Sequence, residues 1–171
     1  AALSVSSSSK VRDFGLERDL RRALERDQIH LCFHPLIDLA SGRVTGVETL
    51  VRWVHPERGE VPPDLFIPIA EATGVIVPLG EWVLRTACRQ ARLWHDSGLP
   101  AVRVGINLSP AQFREDNLTD MVRRALRDTG LDPQWLELEI TEGMVMDDVE
   151  AVIETLGALR ALGVGLAIDD F

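Results

Sequence analysis

The stretch WLELEITEGMVMDDVEAVIETLGALRALGVGLAIDDF, from Trp135 to Phe171, decides the fold. Its two ends, WLELEIT (135–141) and VGLAIDD (164–170), have the apolar patterns of buried strands. Between them an amphipathic helix is predicted over 149–163, since five apolar residues recur at helical spacing. These residues are Val149, Val152, Ile153, Leu156 and Leu159. A strand, a helix and a second strand in this order predict two parallel strands with a helical crossover.

The same alternation extends upstream. Helices are predicted over LGEWVLRTACRQARLWH (79–95) and LTDMVRRALRDTG (118–130), with a strand over AVRVGINLS (101–109) between them. Gly130 stands where a helix C-cap belongs. Alternating strands and helices with short connections predict a parallel sheet covered by helices, either open and doubly wound or closed into a barrel. No glycine-rich phosphate loop follows a predicted strand, which favours the barrel.

The beginning of the sheet departs from this pattern. Two strands, HLCFHPLIDL (30–39) and RVTGVETLVRW (43–53), are joined by only three residues, 40–42. Three residues cannot carry a parallel crossover, so this pair is predicted to run antiparallel. An amphipathic helix over 15–28 precedes it. We therefore expect an α/β fold whose first strand runs against the others.

Composition sets the class of protein. With 171 residues and 46% hydrophobic composition, the chain is about one domain in size. We expect residues 1–9 (AALSVSSSS) to be a linker or a remnant of an expression vector, and the domain to occupy 10–171. No apolar run approaches the length of a membrane span. Cys32 and Cys88 lack a metal-site spacing, so free thiols in a cytoplasmic compartment are expected.

The net charge limits the partners. The chain carries 27 acidic and 18 basic residues, for a net charge of −9. This balance argues against binding a nucleic-acid polymer, since phosphate backbones are recognised largely by charge. A substrate containing phosphate would need metal ions to approach this protein.

Oxygen-bearing side chains recur at the ends of the predicted strands. Asn107, Glu139 and Asp169 lie about one strand-helix unit apart, and Glu48 lies about two units before Asn107. Asn107, Glu139 and Asp169 alternate with apolar residues that would face the helices, so they take the opposite face, which lines a barrel mouth where Glu48 would join them. Converging carboxylates are most simply stabilised by one or two hard cations, Mg²⁺ or Mn²⁺, and Asp170 is placed to bind a second ion or to bridge to its water. The alternative is a structural salt-bridge network or a set of helix caps.

Other polar residues allow two interpretations. Arg52 shares the strand face of Glu48 and is suited to bind a phosphate oxygen, or it is a surface arginine paired with Glu57 or Glu60. Three histidines are expected in turns or at helix ends: His30, His55 and His95. Trp82 and Trp94 are expected to pack on the core.

Four motifs resemble the EAL-domain family of cyclic di-GMP phosphodiesterases. They are FHPLIDLASGRVTGVETLVRWVHPERGEVPPDLFIPIAEATGVIVPLGEWVL, INLSPAQF, LELEITE and AIDDF, and they stand in order from Phe33 to Phe171. The resemblance implies a modified (β/α)8 TIM barrel with an antiparallel first strand, of which this chain contains about five or six strands. The signature Glu-Ala-Leu appears as Glu48-Thr49-Leu50. Tyr-Gln of the family is replaced by Phe33-His34.

The resemblance also implies roles for individual residues. Metal ligands would be Glu48, Asn107, Glu139 and Asp169, with Asp170 at a second metal. Of these, Glu48, Glu139, Asp169 and Asp170 would be catalytic. Arg52, Leu50 and His34 would bind substrate, and Glu142 would anchor the loop after DDF.

The implied activity is metal-dependent hydrolysis of cyclic di-GMP to linear pGpG, with two ions in the complete domain. The alternative is a catalytically silent cyclic di-GMP receptor or interaction module, motivated by His34 and by family residues that would follow Phe171. We expect a sensory or GGDEF domain upstream in a longer protein and no membrane contact by this segment. The 171-residue chain alone is expected to be inactive and to self-associate, as a homodimer or otherwise, through an unpaired strand edge.

Overall fold

The computed structural model describes residues 15–141 and 149–169, and for Val149, Ala151 and Asp169 only the backbone. Helix α1 covers residues 15–23. The remaining elements, in chain order, are β1 (Ile29–Ile37), β2 (Val44–His55), β3 (Gly59–Val61), α2 (Pro63–Ala72), α3 (Ile76–Asp96), β4 (Arg103–Asn107), α4 (Pro110–Phe113), α5 (Leu118–Thr129), a 3-10 turn (Pro133–Trp135), β5 (Leu136–Thr141), α6 (Val149–Ala161) and β6 (Gly165–Asp169).

The described strands form one mixed sheet in the order β1-β2-β4-β5-β6, with β3 attached to β2. β1 pairs with β2 antiparallel, as the three-residue connection predicted. β2, β4, β5 and β6 are parallel to one another. The predicted α/β fold with an antiparallel first strand is therefore confirmed. The described strands do not close into a barrel.

One face of the sheet carries the helices and the core. Val104 and Ile106 of β4 and Leu136, Leu138 and Ile140 of β5 are buried there. They join the core residues of α3 and α5, so the predicted alternation is confirmed in these strands. In β6 the prediction is only partly right, because Leu166 is half-buried but Ile168 is 49% exposed near the end of the strand.

The structure adds elements that the sequence pattern had not indicated. β3 closes a hairpin with β2 through a turn that ends at Gly59, whose φ is 72°. α2 begins at Pro63, a favourable first position, and contains a second proline, Pro68, which obscured its helical pattern. α3 begins at Ile76, three residues before the predicted start at Leu79. The predicted cap at Gly130 is confirmed, with φ of 69° after α5.

The histidines were only partly placed by the sequence. His95 lies in the last turn of α3, as expected. His30, however, lies within β1, and His55 is a buried residue at the end of β2. His55 Nδ1 accepts hydrogen bonds from the backbone N–H groups of Glu57 and Arg58, and its Nε2 lies 3.3 Å from Asp19 Oδ2 of α1. Burial opposes ionisation of Asp19, but its hydrogen bond with His55 contributes to a lowered pKa.

The predicted packing of Trp82 and Trp94 on the core is confirmed. Trp94 packs on the Phe33 ring at 4.9 Å between centroids, and Trp82 is partly buried against the core. Cys32 and Cys88 are free thiols, and burial raises the pKa of Cys88 to about 12. Among the described helices, none combines the length and the apolar character that crossing a membrane requires.

Candidate active site at the ends of the parallel strands

The sheet face opposite the helices is here called the site face. Strand register determines its members, because directly paired residues project to the same side of a sheet. Glu48 pairs with Gly105, and Asn107 pairs with Glu139. These four positions therefore lie together on the site face, near the C-terminal ends of β4 and β5.

Side-chain geometry brings the first three ligand candidates to the same end of the site face. The Asn107 side-chain amide donates from Nδ2 to Oε1 of Glu48 at 3.1 Å. A Cβ atom built on Gly105 would lie 2.2 Å from Oε1 of Glu139, so the Glu139 carboxylate lies directly above this glycine. Because Gly105 is also the register partner of Glu48, the Glu139 side chain extends across β4 towards Glu48.

Gly105 is a residue that the sequence analysis missed. A glycine within a strand is a signal for close approach by another group, and here the group is a carboxylate. Any side chain at this position would occupy the space of Glu139. Strand β4 (RVGIN) thus supplies both Asn107, a candidate metal ligand, and the space above Gly105 that the Glu139 carboxylate occupies.

The remaining acidic candidates are only partly described. Asp169 ends β6 and pairs through its backbone with Thr141 of β5, which places it on the site face. Asp170 and Glu142 lie outside the described residues. Within 15–141 and 149–169, no three His, Cys, Asp or Glu side chains are close enough together to form a metal cluster. The described donor set is therefore two carboxylates and one amide, all oxygen donors of the kind that Mg²⁺ and Mn²⁺ prefer.

The β1–β2 pair extends the site face in the other direction. His34 is opposite Glu48, Cys32 is opposite Leu50, and His30 is opposite Arg52. The predicted substrate-binding residues His34, Leu50 and Arg52 thus share one face with the ligand candidates. His30, expected in a turn or at a helix end, lies in β1, and register places it on the site face beside Arg52.

Arg52 makes both a backbone and an ionic contact. Its Nη1 donates to the Val51 carbonyl at 2.9 Å, and its Nε lies 3.8 Å from Oε1 of Glu60 in β3. Of the two surface partners considered for Arg52, the structure therefore shows Glu60.

A cleft of about 340 Å³ lies between the site and helices α2 and α3. Leu50, Arg52 and Asn107 line it together with Thr49. Within the described part of the chain, the buried Thr49 hydroxyl has no hydrogen-bond partner. The hydroxyl that replaces the signature alanine therefore stands unpaired in a largely apolar environment.

The family model described as the EAL domain matches residues 17–171. The chain belongs to the EAL domain family. It is 48% identical over 156 residues to the bifunctional diguanylate cyclase and cyclic di-GMP phosphodiesterase MucR of Pseudomonas aeruginosa, covering 91% of this chain and 23% of MucR. It is 44% identical over 160 residues to the cyclic di-GMP phosphodiesterase NbdA of the same organism, covering 94% of this chain and 20% of NbdA.

The EAL fold is also evident in three dimensions. The solved structure of the MucR phosphodiesterase in complex with cyclic di-GMP superposes with a TM-score of 0.89, covering 92% of this chain and 64% of the MucR chain. This EAL chain thus spans about a quarter or less of MucR and NbdA, and about two thirds of the solved MucR chain.

Proposed function

We propose that the full-length protein containing this EAL chain hydrolyses cyclic di-GMP to linear pGpG. The observation that carries the proposal is the convergence of Glu48, Asn107 and Glu139 at the ends of neighbouring parallel strands. Support comes from MucR and NbdA, both named as cyclic di-GMP phosphodiesterases, and from the ligand in the MucR structure.

We propose Mg²⁺ or Mn²⁺ as the cofactor, with two ions in the complete domain. Glu48, Asn107, Glu139 and Asp169 would hold the first ion, and Asp170 would contribute to the second. The space above Gly105 fits this role, because it lets the Glu139 carboxylate approach Glu48. When bound, such ions acidify water and offset charge on phosphate oxygens.

The side chains of the protein supply orientation and charge. Asn107 fixes the Glu48 carboxylate through its 3.1 Å hydrogen bond. Arg52 presents a guanidinium to a substrate phosphate, with which it can form two parallel hydrogen bonds. We propose that Leu50 packs on a guanine base, that His34 hydrogen-bonds the ligand, and that Glu142 anchors the loop after β6.

The test compares two glutamates of β5 in the full-length protein. Glu139→Gln removes a ligand charge, so we expect turnover of cyclic di-GMP to fall by at least about 10²-fold. Glu137→Gln is the matched control, since Glu137 is also on the site face but is paired with Arg103 at 2.8 Å. Chromatography of pGpG formed with Mg²⁺ measures both rates. Near-parental turnover by Glu139→Gln would contradict the assignment.

The same assay tests the cation. We expect Mg²⁺ and Mn²⁺ to support hydrolysis and Ca²⁺ to fail, because Ca²⁺ takes longer bonds and looser coordination. Equal rates with Ca²⁺ would contradict a site that holds its ions in strict geometry.

A second function is favoured by one residue. His34 replaces the family's glutamine opposite Glu48, and a changed ligand contact suits a receptor that binds cyclic di-GMP without hydrolysing it. Calorimetric binding of cyclic di-GMP with unchanged nucleotide after long incubation with Mg²⁺ would establish this alternative.

We also propose the setting of the domain. MucR combines diguanylate cyclase and phosphodiesterase activities in one protein. A GGDEF or sensory domain upstream of this chain and a cytoplasmic location for the EAL domain fit that organisation. Self-association, most simply as a homodimer, is proposed through the β6 edge, where Ile168 is exposed.

A further inference from the structure

Glu60 has a specific place on the site face. It pairs with Val54 in the β2–β3 hairpin, and Val54 lies two residues beyond Arg52 on the same side of β2. The Glu60 carboxylate is therefore directed along the same face as the Arg52 guanidinium, and the two approach to 3.8 Å.

Arg52 has little freedom to leave this carboxylate. Its side chain is only 23% exposed, and Nη1 is bound to the Val51 carbonyl at 2.9 Å. Glu60, by contrast, is 68% exposed. In this pair the cation is held by the sheet and the anion is the partner that can move.

A phosphate that binds Arg52 meets Glu60 as a competitor. Both are anions that seek the same guanidinium, and they repel each other at distances within a Debye length, about 10 Å at 0.1 M salt. Glu60 therefore lowers the affinity of Arg52 for phosphate until the carboxylate moves away.

We propose that Glu60 is an affinity-determining residue that competes with the substrate phosphate for Arg52. This inference rests on the proposed function, since it takes cyclic di-GMP as the anion. In this role Glu60 lowers the affinity for the ligand. A residue that held Arg52 in its productive position would instead raise that affinity.

The expected effect is modest because exposed ion pairs are weak. Removing the Glu60 charge should tighten binding by about two- to five-fold, the range that corresponds to an exposed pair. Salt screens exposed charges, so the gain should shrink steadily as ionic strength rises.

The experiment measures binding of cyclic di-GMP to the full-length protein by calorimetry with Ca²⁺ in place of Mg²⁺, which keeps cation charge at the site while hydrolysis, as proposed above, does not proceed. Glu60→Gln is compared with Glu57→Gln, an exposed carboxylate in the same hairpin that makes no ion pair within 4 Å among the described residues. We expect a lower Kd for Glu60→Gln at low salt, a smaller gain at high salt, and near-parental binding for Glu57→Gln. In an Arg52→Ala background, Glu60→Gln should give a smaller gain.

The outcomes separate this inference from the proposed function. Parental or weaker binding by Glu60→Gln overturns the competition and assigns Glu60 a supporting role instead. Equal gains from Glu60→Gln and Glu57→Gln also overturn it, because the effect would then be one of net charge. If the parent binds no cyclic di-GMP, the proposed ligand fails and the inference fails with it.

Discussion

The two sides of the site face differ in how their functional groups are held. On the β4–β5 side, Asn107 is bonded to Glu48, and Glu139 fits the space above Gly105. On the β1–β3 side, His30, His34 and Glu60 are exposed, and Arg52 contacts Glu60 only at 3.8 Å. The ligand candidates are thus placed by backbone register and direct contacts, whereas the substrate side combines a held Arg52 with exposed side chains that can rearrange.

This difference predicts that small changes will be costly on one side and mild on the other. A metal site requires its donors within narrow limits of distance. A phosphate or base contact on an exposed face tolerates adjustment of long side chains and of water.

The largest effect is expected for Gly105→Ala. The new Cβ would lie 2.2 Å from Glu139 Oε1 and must displace it. Since a catalytic group misplaced by about 1 Å can cost 10²-fold in rate, we expect kcat/KM to fall by about that factor. The melting temperature should change little, because the displaced atom ends a flexible side chain.

Gly157→Ala in α6 is the control, since nothing lies within 4 Å of its added Cβ. It should leave activity unchanged and stabilise the helix by about 0.5–1 kcal/mol. Parental kcat/KM in Gly105→Ala would show that the space above Gly105 is not needed for catalysis, and the contrast between the two sides would fail.

A smaller effect is expected for His30→Ala on the opposite side. Its place beside Arg52 allows one hydrogen bond to the ligand, and losing such a bond costs about two- to ten-fold in affinity. We expect KM for cyclic di-GMP to rise by that factor while kcat stays near parental. His30→Gln, which keeps a hydrogen-bonding group, should lose less. A fall in kcat as large as that of Gly105→Ala would place His30 with the tightly held groups.

The smallest effect concerns the two thiols. Cys32 lies on the site face and Cys88 lies in the core. Cys88 is buried, and with its pKa at about 12 only about 10⁻⁴ of it is thiolate at pH 8. Iodoacetamide should therefore modify Cys32 in the native protein and leave Cys88 intact, as judged by mass spectrometry. Denaturant should make both reactive. Rapid native labelling of Cys88 would show that α3 opens readily.

Much of this architecture could be predicted because it depends on short-range pattern. Three residues between two strands required an antiparallel pair, and the alternation of Leu136, Leu138 and Ile140 placed Glu139 on the opposite face. Periodicity in single strands was therefore enough to bring Glu48, Asn107 and Glu139 together.

The contacts that the sequence does not predict are those set by the register between neighbouring strands. Glu57 and Glu60 were equal candidates to pair with Arg52, and only the β2–β3 register places Glu60 on the right face. His30 stands at the first position of the predicted strand, where pattern alone does not separate a strand residue from a turn residue, and its place opposite Arg52 follows only from the β1–β2 register. A glycine within a strand is compatible with close approach by another group, but the sequence of β4 does not show that this group is Glu139.

The empty place at Gly105 also constrains how this protein can diverge. As long as Glu139 is in use, a side chain at position 105 is selected against, because it would fill the space of the carboxylate. A related sequence that does not use the Glu139 carboxylate is free to accept alanine or a larger residue at position 105. We therefore expect replacements at 105 and at 139 to occur together in related sequences.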